Sequence, residues 1–234
     1  TRMVAADALG MDLDDVRVVM GDTDRAPYGL GSWGSRGAVV MAGSVVKAAE
    51  HVVEKAKQIA AHLLEVSEDD IVMNESAFVV RGSESGRSVT WRDVADAGVV
   101  STLKLPADVD PGFDASATYE PFGLEHFPDE RGLFHAAATW PNIAQAVVVA
   151  IDLSTGHIAL EDLIVVHDCG VVIHPAVVDG QILGGVAQGV AGAMYENLVY
   201  DLETSAPKFA SFMEYLVPTA TEIPRVRIEH LCTP

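Results

Sequence analysis

An α+β fold in two α/β lobes, each with a small mixed sheet and packed helices, is predicted by three features of this 234-residue sequence. A glycine-rich stretch at 21–37 runs into a long helical pattern at 38–64. Two apolar β runs, 145–152 and 157–166, flank a Ser-Thr-Gly turn. Between these features, 106–131 is rich in Pro, Gly, Asp and Glu. The first lobe is expected over 1–105, a linker or loop region over 106–132, and the second lobe over 133–234. A chain of this length holds one large domain or two small ones. A hydrophobic content of 49% excludes disorder for want of apolar residues.

The elements follow in order. Met3, Val4 and Ala8 lie at near-helical spacing, and Gly10 is a natural stop for that helix. Residues 16–20 read as a short strand, followed by turns through Gly37. In the long helix, Val39, Val46, Val53 and Ile59 form an apolar stripe, with Lys47, Glu50, Glu54 and Lys57 on the wet side. Residues 71–80 read as two short strands around a turn at Asn74-Glu75. Thr90 caps a short helix, with Asp93 three residues on. One strand is expected at 115–120 within the loop region. The β runs 145–152 and 157–166 form a hairpin covered on at least one face, and Asp168-Cys169-Gly170 ends it. Residues 175–180 lead into a helix at 181–195. Its glycines at 184, 185, 189 and 192 each cost about 1 kcal/mol relative to Ala, so a backbone or ligand is expected to pack close against it. Strands are expected at 197–200 and 225–229.

Fifteen Lys and Arg against 34 Asp and Glu give a net charge of −19. Such a surface repels phosphate backbones and anionic bilayers, so nucleic-acid binding and membrane-surface binding are not expected. No apolar run reaches the ~18–20 residues of a membrane span. Two cysteines, Cys169 and Cys232, make no disulfide framework, which suits a reducing compartment.

Two segments carry candidate chemistry. Tyr28-Gly29-Leu30-Gly31-Ser32-Trp33-Gly34-Ser35-Arg36-Gly37 stands directly before the long helix. Free N–H groups and the positive dipole end at a helix start favour an anion. The glycines allow close approach, Ser32 and Ser35 donate hydroxyls, and Arg36 offers a fork for phosphate. The alternative is a plain glycine loop with Ser35 as N-cap. No Gly-Lys-Ser/Thr follows, so this is not a P-loop. In the second segment, Asp179-Gly180-Gln181-Ile182, Gln181 at a helix start could hydrogen-bond an amide or oxo group, or the segment merely caps a tightly packed helix. His167-Asp168-Cys169 is a poor nucleophile site, because neighbours on a strand face opposite sides. The acids Glu68-Asp69-Asp70 and Asp129-Glu130 read as solvated surface.

The run Gly21-Asp22-Thr23-Asp24, Pro27-Tyr28-Gly29-Leu30-Gly31 and Gly34-Ser35-Arg36 resembles the large subunit of molybdenum hydroxylases. So do Asp168-Cys169-Gly170-Val171-Val172-Ile173-His174-Pro175, Gly180-Gln181-Ile182-Leu183-Gly184-Gly185-Val186-Ala187-Gln188-Gly189 and Tyr195-Glu196. That family includes carbon monoxide dehydrogenase, xanthine dehydrogenase and aldehyde oxidase, and the Tyr-Gly-Leu-Gly form looks most like the first. The resemblance implies that the lobes are those of a molybdopterin-binding domain. The cofactor would be molybdopterin, as the cytosine dinucleotide, with molybdenum held by the pterin and by no protein ligand. Ser32, Gly34, Ser35, Arg36, Gly37 and Ala38 would cradle the pterin or its phosphates, and Gln181 matches the family glutamine near the molybdenum oxo group. His174 stands where the family usually has Asn. Implied partners are iron–sulfur and FAD subunits or domains and a small-molecule substrate, in a cytoplasmic oligomer.

The family's Gly-Gln-Gly run is expected before Thr1, and its catalytic base, a glutamate in a Gly-x-Gly-Glu segment, after Pro234. The sequence therefore reads as a fragment that holds no catalytic residue, is inactive by itself and tends to self-associate. The alternatives are a non-catalytic scaffold for subunit contacts and a free-standing phosphate-ligand protein.

Overall fold

The computed structural model describes residues 1–234 except Pro27, Leu30, 83–85, His126, Ala138, Ala210 and Pro234. Two compact units, Thr1–Ala138 and Thr139–Pro234, each build their own core. The α+β expectation holds. The sheet of the first unit is wholly antiparallel and that of the second is mixed.

In the first unit, helix α1 (Arg2–Leu9) ends as its sequence predicts. Gly10 is left-handed (φ 57°). The Met11 N–H donates to Ala6 O at 2.9 Å and the Gly10 N–H to Asp7 O at 3.1 Å, the paired bonds of a Schellman stop. A Cβ at Gly10 would lie 2.6 Å from Glu75 O, so space as well as conformation demands glycine there. Residues 16–20 form no strand, since no second strand lies alongside them among the described residues.

Helix α2 (Ala42–Leu64) follows a wide π-helical turn, Gly37–Met41. Its buried stripe is Ala49, Ala56, Ile59, Ala60, Ala61 and Leu64, not the valine stripe expected. Val39 and Val46 are 40% and 36% exposed. Ile59 alone is common to both stripes, and alanines line most of the contact. They meet Ile71 and Phe78 of the antiparallel sheet β1 (Ile71–Asn74), β2 (Ala77–Val80) and β3 (Ser88–Thr90).

Helix α3 (Trp91–Ala95) opens on the predicted capping box: the Thr90 N–H donates to Asp93 Oδ2 at 2.9 Å and the Asp93 N–H to Thr90 Oγ1 at 3.2 Å. The Thr90 hydroxyl, which donates to Asp93 Oδ2 at 2.7 Å, and then the Thr90 N–H hold the Asp93 carboxyl below its usual range. Trp91 meets Phe78 edge-on at 4.8 Å and donates from Nε1 to Leu9 O at 2.8 Å. Within 106–132, Val109 and Phe113 pack against this core. The strand expected at 115–120 is absent, because this stretch lies outside both sheets.

In the second unit, β4 (Asn142–Ile151) and β5 (Ile158–Asp168) make the predicted hairpin, with a bulge at Val148/Val149. Asp152 shapes the turn by accepting the Ser154 hydroxyl at 2.7 Å and the Ser154 N–H at 2.8 Å. These bonds, the hydroxyl first, pull its carboxyl down to about 2. Strand β6 (Val226–Leu231) pairs parallel to β5. Of the two late strands expected, 197–200 contributes only a bridge from Tyr200 to Pro207.

Helix α4 (Pro175–Met194) begins six residues before its expected start. Pro175 occupies its first turn, where a missing N–H costs nothing. Its Ile182, Val186 and Val190 bury against Leu163 and Val165 of β5. Strand β4 is exposed along its whole length, so the expected cover of the hairpin reaches β5 alone.

Candidate functional site

The glycine-rich loop is folded by its own residues. Gly34 (φ 60°) and Ser35 (φ 58°) are both left-handed, and the Arg36 N–H donates to Trp33 O at 3.4 Å. This is the sign pattern of a tight I′-type turn. Arg36 then reaches back: its Nε and Nη2 donate to Gly31 O at 3.3 and 2.8 Å. Its guanidinium lies 4.6 Å over the Trp33 ring, a cation–π contact. Two of the five guanidinium donors are thus spent on the loop and three remain. Arg36 itself, not Ser35, is the N-cap residue.

Gly37 opens the helical segment, and a Cβ there would lie 2.8 Å from Ser32 Oγ. A side chain there would have to push the Ser32 hydroxyl aside. The Val40 N–H donates to Arg36 O at 2.9 Å, and the first helical turn is the wide π form, a geometry frequent at functional sites. Ser32, Gly34, Ser35, Arg36, Gly37 and Ala38 therefore belong to one continuous feature, with Ser32, Ser35 and Ala38 exposed. Pro27 and Leu30 of the predicted motif lie outside the described residues.

One signal here was legible and missed. Residues 25–49 contain Arg25, Arg36 and Lys47 and no Asp or Glu, in a chain with 34 acids. The loop and the start of its helix form an acid-free, cationic stretch of an acidic chain. Exposed hydroxyls, spare guanidinium donors and helix-start N–H groups, on a stretch of chain without Asp or Glu, suit an anionic ligand such as a phosphate-bearing pterin.

Gln181 does not sit where expected. Because α4 starts at Pro175, Gln181 lies nearly two turns into the helix and is exposed. A helix-start argument does not apply to it, nor does a capping one. The cap is His174, whose Nδ1 accepts the Val177 N–H at 3.3 Å. An imidazole thus does what an Asn side chain does at an N-cap. Beside Gln181, a Cβ at Gly180, Gly184, Gly185, Gly189 or Gly192 would meet nothing within 4 Å. The close neighbour expected for this glycine stripe is not supplied by the described residues.

Two histidines build a polar cluster. His230 Nε2 lies 2.7 Å from Asp179 Oδ1, joining β6 to α4. The His167 and His230 rings meet edge-on at 6.3 Å. Asp168 accepts the Thr233 hydroxyl, the Gly170 N–H at 3.0 Å and the Thr233 N–H at 3.3 Å. These bonds, the hydroxyl first, lower its pKa. Only the pairing of β5 with β6 brings these residues together. Cys169 is exposed. Among the described residues, no group of three or more His, Cys, Asp or Glu is placed to hold a metal ion.

Residues 1–224 match the family described as molybdopterin cofactor-binding domain. The chain belongs to that family. It is 36% identical over 231 residues to the nicotine 6-hydroxylase large subunit of Paenarthrobacter nicotinovorans, covering 99% of this chain and 26% of the relative. It is 33% identical over 231 residues to the carbon monoxide dehydrogenase large chain of Hydrogenophaga pseudoflava, with the same coverage. Its fold matches the crystal structure of quinoline 2-oxidoreductase from Pseudomonas putida 86 with a TM-score of 0.85 and 35% identity, over 100% of this chain and 28% of that one. The chain thus spans about a quarter of the length of these relatives. No helix among the described residues is long and apolar enough to cross a membrane.

Proposed function

We propose that this molybdopterin-domain chain forms part of the molybdenum-cofactor-binding large subunit of an oxidoreductase. The substrate would be carbon monoxide, an aldehyde or an N-heterocycle, with water as the oxygen source. The observation that carries the reading is the folded, acid-free glycine loop at the head of α2, in a chain matching the cofactor-binding family over 1–224.

When bound, the molybdenum–pterin group would supply two-electron oxidation. The chain's own residues hold and orient it. Ser32, Ser35 and the remaining Arg36 donors bind the pterin or its phosphates. Gly34 and Gly37 keep the backbone close, and Ala38 presents a helix-start N–H. Gln181 offers its side-chain amide to the cofactor from the exposed face of α4. We assign the dinucleotide form to cytosine, as the carbon monoxide dehydrogenase branch resemblance implies. Electrons would leave through iron–sulfur and FAD subunits or domains, in a cytoplasmic oligomer. This chain supplies no catalytic base, so substrate oxidation by the chain alone is expected to be nil.

The test is Arg36→Ala and Gln181→Ala in the protein that carries this chain, with molybdenum, pterin and turnover measured together. Loss of pterin with Arg36→Ala, and loss of turnover with Gln181→Ala, are expected. Unchanged molybdenum content and turnover in both variants would favour the scaffold reading instead.

A further inference from the structure

We propose that Cys169 and Cys232 are a reversible dithiol–disulfide pair that clasps the ends of β5 and β6. The sequence separates these residues widely, but the strand register brings them side by side. β5 and β6 run parallel, with His167 opposite His230 and Asp168 opposite Leu231 as the last rungs. One step further along the same register stand Cys169 and Cys232.

The pairing persists beyond the last rung. Thr233 donates its N–H and its hydroxyl to Asp168, and a Cβ at Gly170 would lie 3.5 Å from Thr233 O. The residues on both sides of the two cysteines are therefore in contact across the strands. Adjacent strands lie about 4.8 Å apart, inside the roughly 4.4–6.8 Å Cα separation that a disulfide spans. Register partners in a parallel pair also project to the same face. Both thiols are free and exposed. The sheet is anchored at this end by His230 on Asp179. A soft-metal site is not the better reading, because no third His, Cys, Asp or Glu joins them in a metal-binding group among the described residues.

The oxidant is a low-molecular-weight disulfide such as oxidised glutathione. One cysteine thiolate attacks a glutathione sulfur, breaks the S–S bond and releases one glutathione thiolate. The second cysteine thiolate attacks the resulting mixed disulfide at the protein sulfur and releases the other. Two cysteine thiols become one disulfide, one glutathione disulfide becomes two thiols, and the two cysteine protons pass to the departing glutathione. An exposed disulfide of this kind is labile and readily reduced. It closes a chain loop that contains all of α4, which raises stability chiefly by restricting the unfolded chain.

The experiment equilibrates the full chain in oxidised and then reduced glutathione, with thiol alkylation and peptide mass spectrometry under non-reducing conditions. The expected product is a chain lighter by two hydrogens, with no alkylatable thiol and one cross-linked peptide holding both cysteines. Its melting temperature rises by several degrees, and reduced glutathione restores two thiols. Cys169→Ser and Cys232→Ser each leave a single glutathione adduct and remove that rise. Wild-type chain that carries two glutathione adducts, forms disulfide-linked dimers or keeps both thiols would overturn the proposal.

Discussion

Helices α2 and α4 are close in length and opposite in how they are held. α2 buries six residues, four of them alanines, against a sheet and a second helix. α4 buries four, while its five glycines face open space. In α2, small residues are explained by neighbours within the same unit. In α4 no such neighbour exists among the described residues, so its glycines are a cost to this unit's stability. The same split separates β5, whose Leu163 and Val165 are buried, from β4, exposed throughout. Small and apolar residues lie in the core in α2 and β5, whereas the glycines of α4 and the whole of β4 are exposed.

Substitutions can break or sharpen that contrast. Phe78 is fully buried beneath α2, and Phe78→Ala should cost about 3–5 kcal/mol in urea unfolding. A loss below 1 kcal/mol would mean the first core is looser than its contacts imply. Gly98→Ala puts a Cβ 2.5 Å from the Phe113 ring and should cost about 1–3 kcal/mol, as overpacking does. Gly184→Ala should do the opposite and stabilise this chain by about 1 kcal/mol. Destabilisation there would show that α4 is packed after all, and the contrast between the helices would fail.

The smallest effect is one of pH. The Asp152 carboxyl, held at about 2 against an ordinary 3.8, stabilises the β4–β5 turn in its charged form. Its contribution is complete above the unfolded value near 3.8 and is lost as pH falls through about 2. An NMR titration of Asp152 should give a midpoint near 2, and Asp152→Asn should remove that part of the acid sensitivity. A midpoint near 3.8 would remove the hydroxyl and N–H bonds from the turn.

What was legible in the sequence was local. The stop at Gly10, the Thr90–Asp93 box and the Ser154-Thr155-Gly156 hairpin each depend on residues a few positions apart, and each formed. Residues 16–20, 115–120 and 197–200 have strand-like composition, but a strand exists only with a partner, and composition does not name one. The start of α4 was misread because Pro175 looked like a lead-in rather than a first-turn residue, which displaced Gln181 from the helix start. The His167–His230–Asp179 cluster and the juxtaposed cysteines arise from β5–β6 register. The glycine loop was visible as a motif, whereas the back-bonding of Arg36 to Gly31 required the fold.

The central claim is that the glycine loop of the first unit holds the cofactor. Gly37→Val tests it most directly, because the added side chain must displace the Ser32 hydroxyl while residue 37 lies outside the buried core. The measurement is molybdenum and pterin per mole of purified protein, beside the unfolding midpoint of the same samples. Loss of most of both with the midpoint little changed is the predicted result. Unaltered molybdenum and pterin in a correctly folded Gly37→Val protein would contradict it.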